Sequence, residues 1–212
     1  MSADTTQRAG RRSIYVVDDD SMIRRSLSFT LSAANFEVRP FISGSDFIDE
    51  MPFLFPGAVL LDLSMPGMDG IAVLNLLQEK RAEFPAIVMT GHGDVITAVL
   101  AMKAGARDFI EKPIGDAVLM NTLEDAFHAI DAPADNPSVT PLAEARLRTL
   151  TPRELDVLRG LVSGFPNKII AHRLSLSTRT IEMHRASMMS RLGLRNLSEL
   201  LRIAFAAKVA PL

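Results

Sequence analysis

Ala58-Val59-Leu60-Leu61-Asp62-Leu63-Ser64-Met65-Pro66-Gly67-Met68-Asp69-Gly70 is an apolar, β-forming run that ends in one carboxylate and gives way at once to a Pro/Gly-rich loop. A buried parallel strand reads this way, with its last side chain delivered to the C-terminal edge of a sheet. In an open α/β sheet that edge is where ligands bind. The same Asp62 also suits a plainer role, capping the helix that begins near Gly70. Other stretches must decide between the two.

Working outward, the pattern repeats. Ile14-Tyr15-Val16-Val17 is a β-branched run that stops at Asp18-Asp19-Asp20, and Ile23, Leu27 and Leu31 follow at the spacing of a buried helical stripe. Phe36-Glu37-Val38 predicts a second strand and Ser43 to Glu50 a short helix; Ile71, Leu74 and Leu77 mark the helix after the Asp62 strand. Ala86 to Thr90 is the fourth strand. Asp94 is placed to cap the next helix, built on Val95, Val99 and Met102. Arg107-Asp108-Phe109-Ile110 is the fifth strand, ahead of Lys112-Pro113 and a helix to about Ala129. Five strands alternating with five helices predict a doubly wound α/β fold, flavodoxin-like, with strand order 2-1-3-4-5.

That order sets the ends of strands one and three side by side and brings Asp18 and Asp19 next to Asp62. Like charges 4 Å apart cost roughly 4 kcal/mol per pair at an effective dielectric of about 20. A hard divalent cation with oxygen ligands removes that cost, and Mg²⁺ is the usual one near phosphate. Thr90, ending strand four, supplies a hydroxyl, and Lys112, after strand five, an ammonium. Such a set suits phosphoryl transfer, which needs mainly positioning and charge neutralisation.

These four separated signatures, together with Gly91-His92-Gly93-Asp94-Val95 and Ala101 to Pro113, resemble the receiver domain of bacterial response regulators, in particular the FixJ-type subgroup, over roughly Ser13 to Ala129. The resemblance implies that Asp62 is the phosphoacceptor. It implies Mg²⁺ on Asp19 directly, on Asp18 mostly through water, on Asp62 and on the backbone carbonyl of Ser64. Thr90 and Lys112 would hold phosphoryl oxygens, Thr90 and Phe109 would form the switch, and Lys112-Pro113 would be cis. Ser64 and His92 take the two positions that in the family tune phosphoryl loss. Phosphatases of the haloacid dehalogenase type also use an Asp after a strand, but they need a second acid two residues on, and here that residue is Ser64.

Residues 131–140 hold two prolines and little apolar periodicity, as in a flexible connection, while Pro141 to Leu150 has enough apolar residues to extend as a helix. Thr151-Pro152-Arg153-Glu154 then carries three helix-start signals: a cap, a Pro at the first position and a capping-box Glu. A short helix near 167–174 follows, then Ser177 as a new cap, a helix from Thr178 to Leu192 stopped by Gly193, and a further capping box at Asn196 to Glu199. Periodicity alone leaves a plain four-helix bundle as possible as a helix-turn-helix. Residue detail favours the second: Leu150 to Glu154, Asn167-Lys168, Ile170-Ala171, Leu174 and Ser177 to Arg185 resemble the LuxR-type DNA-binding domain, with Phe165-Pro166 and Ile169 as departures. The resemblance implies a third helix in the major groove, begun by Ser177 and Thr178. Lys168, Thr180 and Arg185 would meet the DNA backbone, and Arg179, Glu182, Met183 and Ala186 base edges. Leu197, Leu200, Leu201, Ala204 and Phe205 offer more apolar surface than a small domain readily uses, and part of it is expected to form a dimer face.

The expected domains are an N-terminal tail (1–12), a receiver (13–129), a linker (130–148) and an all-α helix-turn-helix domain (149–212). Charge follows this division. Residues 1–127 carry 11 Lys/Arg against 18 Asp/Glu and residues 151–212 carry 10 against 4, as expected for an acidic metal-binding module joined to one that meets a polyanion. With no cysteine, disulfides and thiolate metal sites are excluded, and a cytoplasmic location is expected. No apolar run is long enough to span a membrane. The implied function is a phosphorylation-dependent transcription regulator rather than an enzyme. Its expected partners are a sensor histidine kinase, promoter DNA, RNA polymerase and a second copy of itself on phosphorylation. A phosphate-independent adaptor is disfavoured by the complete acid, Thr and Lys set. RNA binding is disfavoured because Phe165 and Phe205 are the only aromatics after residue 150.

Overall fold

Five short strands alternate with helices along the first part of the chain: β1 (Ser13–Val17), α1 (Ser21–Ala33), β2 (Glu37–Phe41), α2 (Gly44–Glu50), β3 (Gly57–Asp62), α3 (Gly70–Leu76), β4 (Ala86–Thr90), α4 (Val95–Lys103), β5 (Asp108–Glu111) and α5 (Asp116–Asp131). Helices α6 (Val139–Leu147), α7 (Pro152–Val162), α8 (Asn167–Leu174), α9 (Thr178–Leu192) and α10 (Leu197–Ala206) follow. The structure, a computed structural model, describes residues 11–91, 95–131 and 139–212. Asp94 and His92, read above as a cap and a tuning position, lie outside them, as do the N-terminal tail to residue 10 and most of the expected flexible connection. Compactness divides the described residues into two units, 11–91 with 104–131 and 95–103 with 139–212.

In the first unit all strand pairs are parallel, and the order is β2-β1-β3-β4-β5, as the alternation predicts. Alternate strand residues face opposite sides. Ile14, Val16, Ala58, Leu60, Ile87, Met89 and Ile110 pack with Leu27 and Leu31 of α1 and Leu119, Leu123 and Phe127 of α5. On the other side Tyr15 lies among Phe41, Phe47 and Phe84. β3 is buried at all six positions, so a continuous apolar run was needed there.

The strand limits depart from expectation chiefly in β2 and β5. β2 continues past Val38 to Phe41, through Arg39 and Pro40. Proline is tolerated because β2 is an edge strand with an unpaired side. β5 is displaced by one residue, to Asp108–Glu111.

The second unit gathers α4 with α6 to α10. Thr151 and Glu154 form the predicted capping box on α7, and Ser177 caps α9 by accepting from the Thr180 N–H. The box expected at Asn196 is only half made. Asn196 accepts from the Glu199 N–H, but Glu199 accepts from the N–H of Arg195 instead. Residues 139–147, inside the expected linker and overlapping the stretch from Pro141 read as able to extend as a helix, form α6, which packs on α10 and buries Ala143 and Leu147. Of the apolar residues read as a dimer surface, Leu200, Leu201 and Ala204 are buried within the unit, while Leu197 and Phe205 are half-buried. Among the described residues no helix is long and apolar enough to cross a membrane.

Candidate functional site

Asp62 is the last residue of β3, so the strand projects its carboxylate at the sheet's C-terminal edge. It does not cap α3. Asp69 does that, accepting from the Ala72 N–H at 2.8 Å. Asp62 is instead 6 % exposed, with Oδ2 accepting from the Ser64 N–H at 2.9 Å and Oδ1 from Lys112 Nζ at 2.7 Å. The loop after it turns through Gly67 at φ +79° and returns to Gly70, whose N–H donates to the Leu63 carbonyl. Gly70 has no room for a side chain, because a Cβ would stand 2.4 Å from the Asp62 carbonyl oxygen.

The three acids after β1 separate in role. Asp20 caps α1, accepting from the Met22 N–H. Asp18 is buried at 1 % exposure, with Oδ1 accepting from the Asp20 N–H and Oδ2 from Lys112 Nζ at 2.7 Å. Asp19 is exposed, and one oxygen from each of Asp18, Asp19 and Asp62 lies within 4.8 Å of the others. Lys112 reaches this point from the end of β5, where its N–H donates to the Thr90 carbonyl at 2.7 Å and its bond to Pro113 is cis. Thr90 is buried at the end of β4, and Phe109 is half-buried on β5 beside Val88.

Burial opposes the Lys112 ammonium, but its hydrogen bonds to Asp18 and Asp62 outweigh that and raise its pKa. Asp18 moves up as well, because burial outweighs its bonds from Lys112 and the Asp20 N–H. One ammonium thus serves two buried carboxylates with a third beside them, leaving an excess of negative charge. An all-oxygen set of this kind fits a hard divalent cation such as Mg²⁺.

In the second unit α9 turns one face outward. Thr178, Arg179, Glu182, Met183 and Ala186 are exposed, whereas Ile181, Met188 and Leu192 are buried. Lys168 is exposed near the start of α8. Ser177 and Thr180, half of a capping pair, share a 2.8 Å contact between hydroxyls. Arg185 is half-buried and donates to Asn167 Oδ1 at 2.9 Å, tying α9 to α8; burial lowers its pKa against the pull of Glu182. The departure at Phe165 has a local use, since the Arg173 guanidinium lies 4.3 Å over its ring. Sequence reasoning gave no role beyond a cap to Glu154 and none to Arg146, which donates to the Leu192 carbonyl at the end of α9. The capping-box spacing flagged Glu154, but nothing local signals a partner 33 residues away.

Comparison with known proteins assigns both halves. Residues 14–124 match the response regulator receiver domain, and residues 148–204 match the bacterial regulatory proteins of the luxR family. The chain belongs to the response regulators. It is 44% identical to the transcriptional regulatory protein FixJ of Bradyrhizobium diazoefficiens, over 92% of this chain and 95% of that one. With FixJ of Rhizobium meliloti the identity is 42%, over 93% and 97%. A crystal structure of full-length FixJ from B. japonicum superposes with a TM-score of 0.55 at 43% identity, covering 93% of this chain and 97% of the other. This response regulator is thus a two-component transcription regulator with a LuxR-type DNA-binding domain. The receiver match spans the acid cluster and Lys112; the luxR-family match spans α7, α8 and α9 and leaves α6 outside.

Proposed function

We propose that the regulator accepts a phosphoryl group on Asp62 from a sensor histidine kinase and, once phosphorylated, binds promoter DNA through α9. The observation that carries this reading is the convergence of Asp18, Asp19, Asp62 and Lys112 at one sheet edge, with three carboxylates to one ammonium. Asp62 attacks the phosphorus of the donor; a P–O bond forms as the donor's P–N bond breaks, and the imidazole departs. Mg²⁺ held by Asp18, Asp19, Asp62 and the Ser64 carbonyl would neutralise charge on the phosphoryl oxygens. Lys112 exchanges a carboxylate partner for a phosphoryl oxygen, and the Thr90 hydroxyl takes another. Uptake and later loss are self-catalysed, without making the protein an enzyme.

The new group adds about −1.5 to −2 charges. Thr90 and Phe109 move toward it and remodel the face of β5 and α5, through which two regulators pair. Driving such a switch from 1:99 to 99:1 takes roughly 5.5 kcal/mol of differential stabilisation, which charge-assisted bonds at the phosphoryl group and pairing would share. The working divisions are a tail at 1–12, a receiver at 13–129, a linker at 130–148 and a DNA-binding domain at 149–212. Lys168, Thr180 and Arg185 face phosphates, Ser177 and Thr178 seat the helix start, and Arg179, Glu182, Met183 and Ala186 read bases. RNA polymerase is the downstream partner, and the cytoplasm the site of action.

Incubation with acetyl phosphate and Mg²⁺, followed by intact-mass measurement and light scattering, tests the reading. One phosphoryl group per chain and a shift toward dimer are expected, both absent in Asp62→Asn. Labelling that persists in that variant sinks the assignment.

A further inference from the structure

The recognition helix α9 is held on two flanks by polar side-chain contacts to α8 and α7. On one flank Arg185 donates to Asn167 of α8. On the other stands Glu154, the third residue of α7, which is 2 % exposed. A capping-box glutamate needs only one oxygen for its own helix. Here Oε2 does that work, accepting from the Thr151 N–H at 2.8 Å and its hydroxyl at 3.0 Å. Oε1 accepts from the Ser187 hydroxyl of α9 at 2.7 Å, and Arg191 of α9 lies 3.4 Å from Oε2. Ser187 and Arg191 are one turn apart, so the carboxylate holds a line along one side of the helix. The face between the two grips is the exposed one that carries Arg179, Met183 and Ala186.

We infer that Glu154 is a positioning residue for DNA recognition, fixing through Ser187 and Arg191 the rotational setting of α9 about its own axis. This rests on the reading of α9 as the DNA-binding helix. Base contacts depend on side-chain direction, whereas phosphate contacts tolerate small displacements and respond mainly to charge. Losing the grip should therefore impair discrimination between sequences more than overall attachment to DNA. It should also leave the salt dependence nearly intact, since no proposed phosphate contact is removed.

Duplexes retained by the full-length protein from a randomised library, with acetyl phosphate and Mg²⁺ present, provide the selected site and scrambled controls. Affinities are then measured for wild type, Glu154→Gln, Ser187→Ala and the double variant, at a temperature where circular dichroism shows all of them folded. The expected result for Glu154→Gln is about a tenfold loss of the ratio of selected to scrambled affinity, with scrambled affinity and salt slope nearly unchanged. Ser187→Ala should lose less, and the double variant no more than Glu154→Gln, because both act through one contact. If the variants merely melt at lower temperature while the ratio stays within about twofold of wild type, Glu154 is only a structural cap and the inference fails. Should Glu154→Gln not fold, Ser187→Ala decides by the same ratio, since it deletes one hydroxyl from an exposed position. Wild-type protein that enriches no sequence overturns the DNA-binding reading itself, an outcome distinct from discrimination kept in the variants.

Discussion

Lys112 Nζ stands 2.7 Å from Asp62 Oδ1 across fifty residues of sequence, and the same nitrogen holds Asp18 Oδ2 at 2.7 Å. The ammonium therefore bridges the ends of β1, β3 and β5 and, among the described residues, is the only basic side chain paired with either carboxylate. Its own backbone is tied to Thr90 at the end of β4. Position and charge are set together, because the group that would meet a phosphoryl oxygen is already in place.

Replacing Lys112 with Met should strand two buried carboxylates. Removing one partner of a buried ion pair costs on the order of 3 kcal/mol, mostly because the remaining charge is left without compensation. Mg²⁺ should restore stability more in Lys112→Met than in wild type. Urea unfolding followed by the fluorescence of Tyr15, the sole tyrosine in a chain without tryptophan, measures this in the first unit. Equal Mg²⁺ stabilisation of both proteins would count against a cation among these acids.

Gly70 and Gly67 lie on one loop but should fail differently. A Cβ at Gly70 meets backbone, 2.4 Å from the Asp62 oxygen and 2.9 Å from Leu63 Cα, so β3's end must shift. Gly70→Ala is expected to cost about 2 kcal/mol and to slow phosphoryl uptake by Asp62 sharply. At Gly67 nothing stands within 4 Å, and only φ +79° opposes a side chain. Gly67→Ala should cost about 1 kcal/mol and leave uptake within a few-fold of wild type. Similar uptake rates in the two variants would show that the Asp62 backbone does not limit the chemistry.

Much of this arrangement was readable from the chain because its signals are local. The apolar run before Asp62, the caps at Thr151 and Ser177 and the glycine stop at Gly193 each announce an element from its own residues. The alternation of strands and helices then restricts the topology, and topology alone brings Asp18 to Asp62. What escaped depends on distant partners. Pro40 looks like a strand breaker until β2 is known to be an edge. The apolar surface of α10 looks larger than its domain needs until α4, α6 and α7 are seen to pack on it. Glu154 reads as a cap because its second partner, Ser187, belongs to another helix.

Asp18→Asn should stabilise the protein in the absence of divalent cations. Burial holds the Asp18 carboxyl above its ordinary 3.8, so the fold favours its protonated form. The sign follows: ionising Asp18 costs stability as pH rises from 3.8 through the folded value, and the cost persists at neutral pH. Removing the charge while Lys112 keeps Asp62 is expected to raise stability at neutral pH. The same change should abolish most Mg²⁺ stabilisation. Both are read from Tyr15 unfolding curves with chelator and with Mg²⁺. A destabilised metal-free Asp18→Asn would mean that Lys112 needs both carboxylates.

Acid should loosen α9 through Glu154. Burial alone would raise this carboxyl, but donation from the Thr151 backbone, the Ser187 and Thr151 hydroxyls and the Arg191 charge bring it from 4.5 down to about 2. A lowered folded pKa contributes stability that is present above 4.5 and lost as pH falls from there toward 2. The contribution is on the order of 3 kcal/mol at neutral pH, by the usual conversion of a pKa difference. Glu154→Gln lacks it at every pH. Hydrogen exchange of peptides from α7 and α9, compared between the two proteins at each pH so that intrinsic rates cancel, should show wild type better protected near neutrality. The two should converge below pH 4.5. A protection difference that does not narrow on acidification would place the stabilisation in packing rather than in the carboxylate.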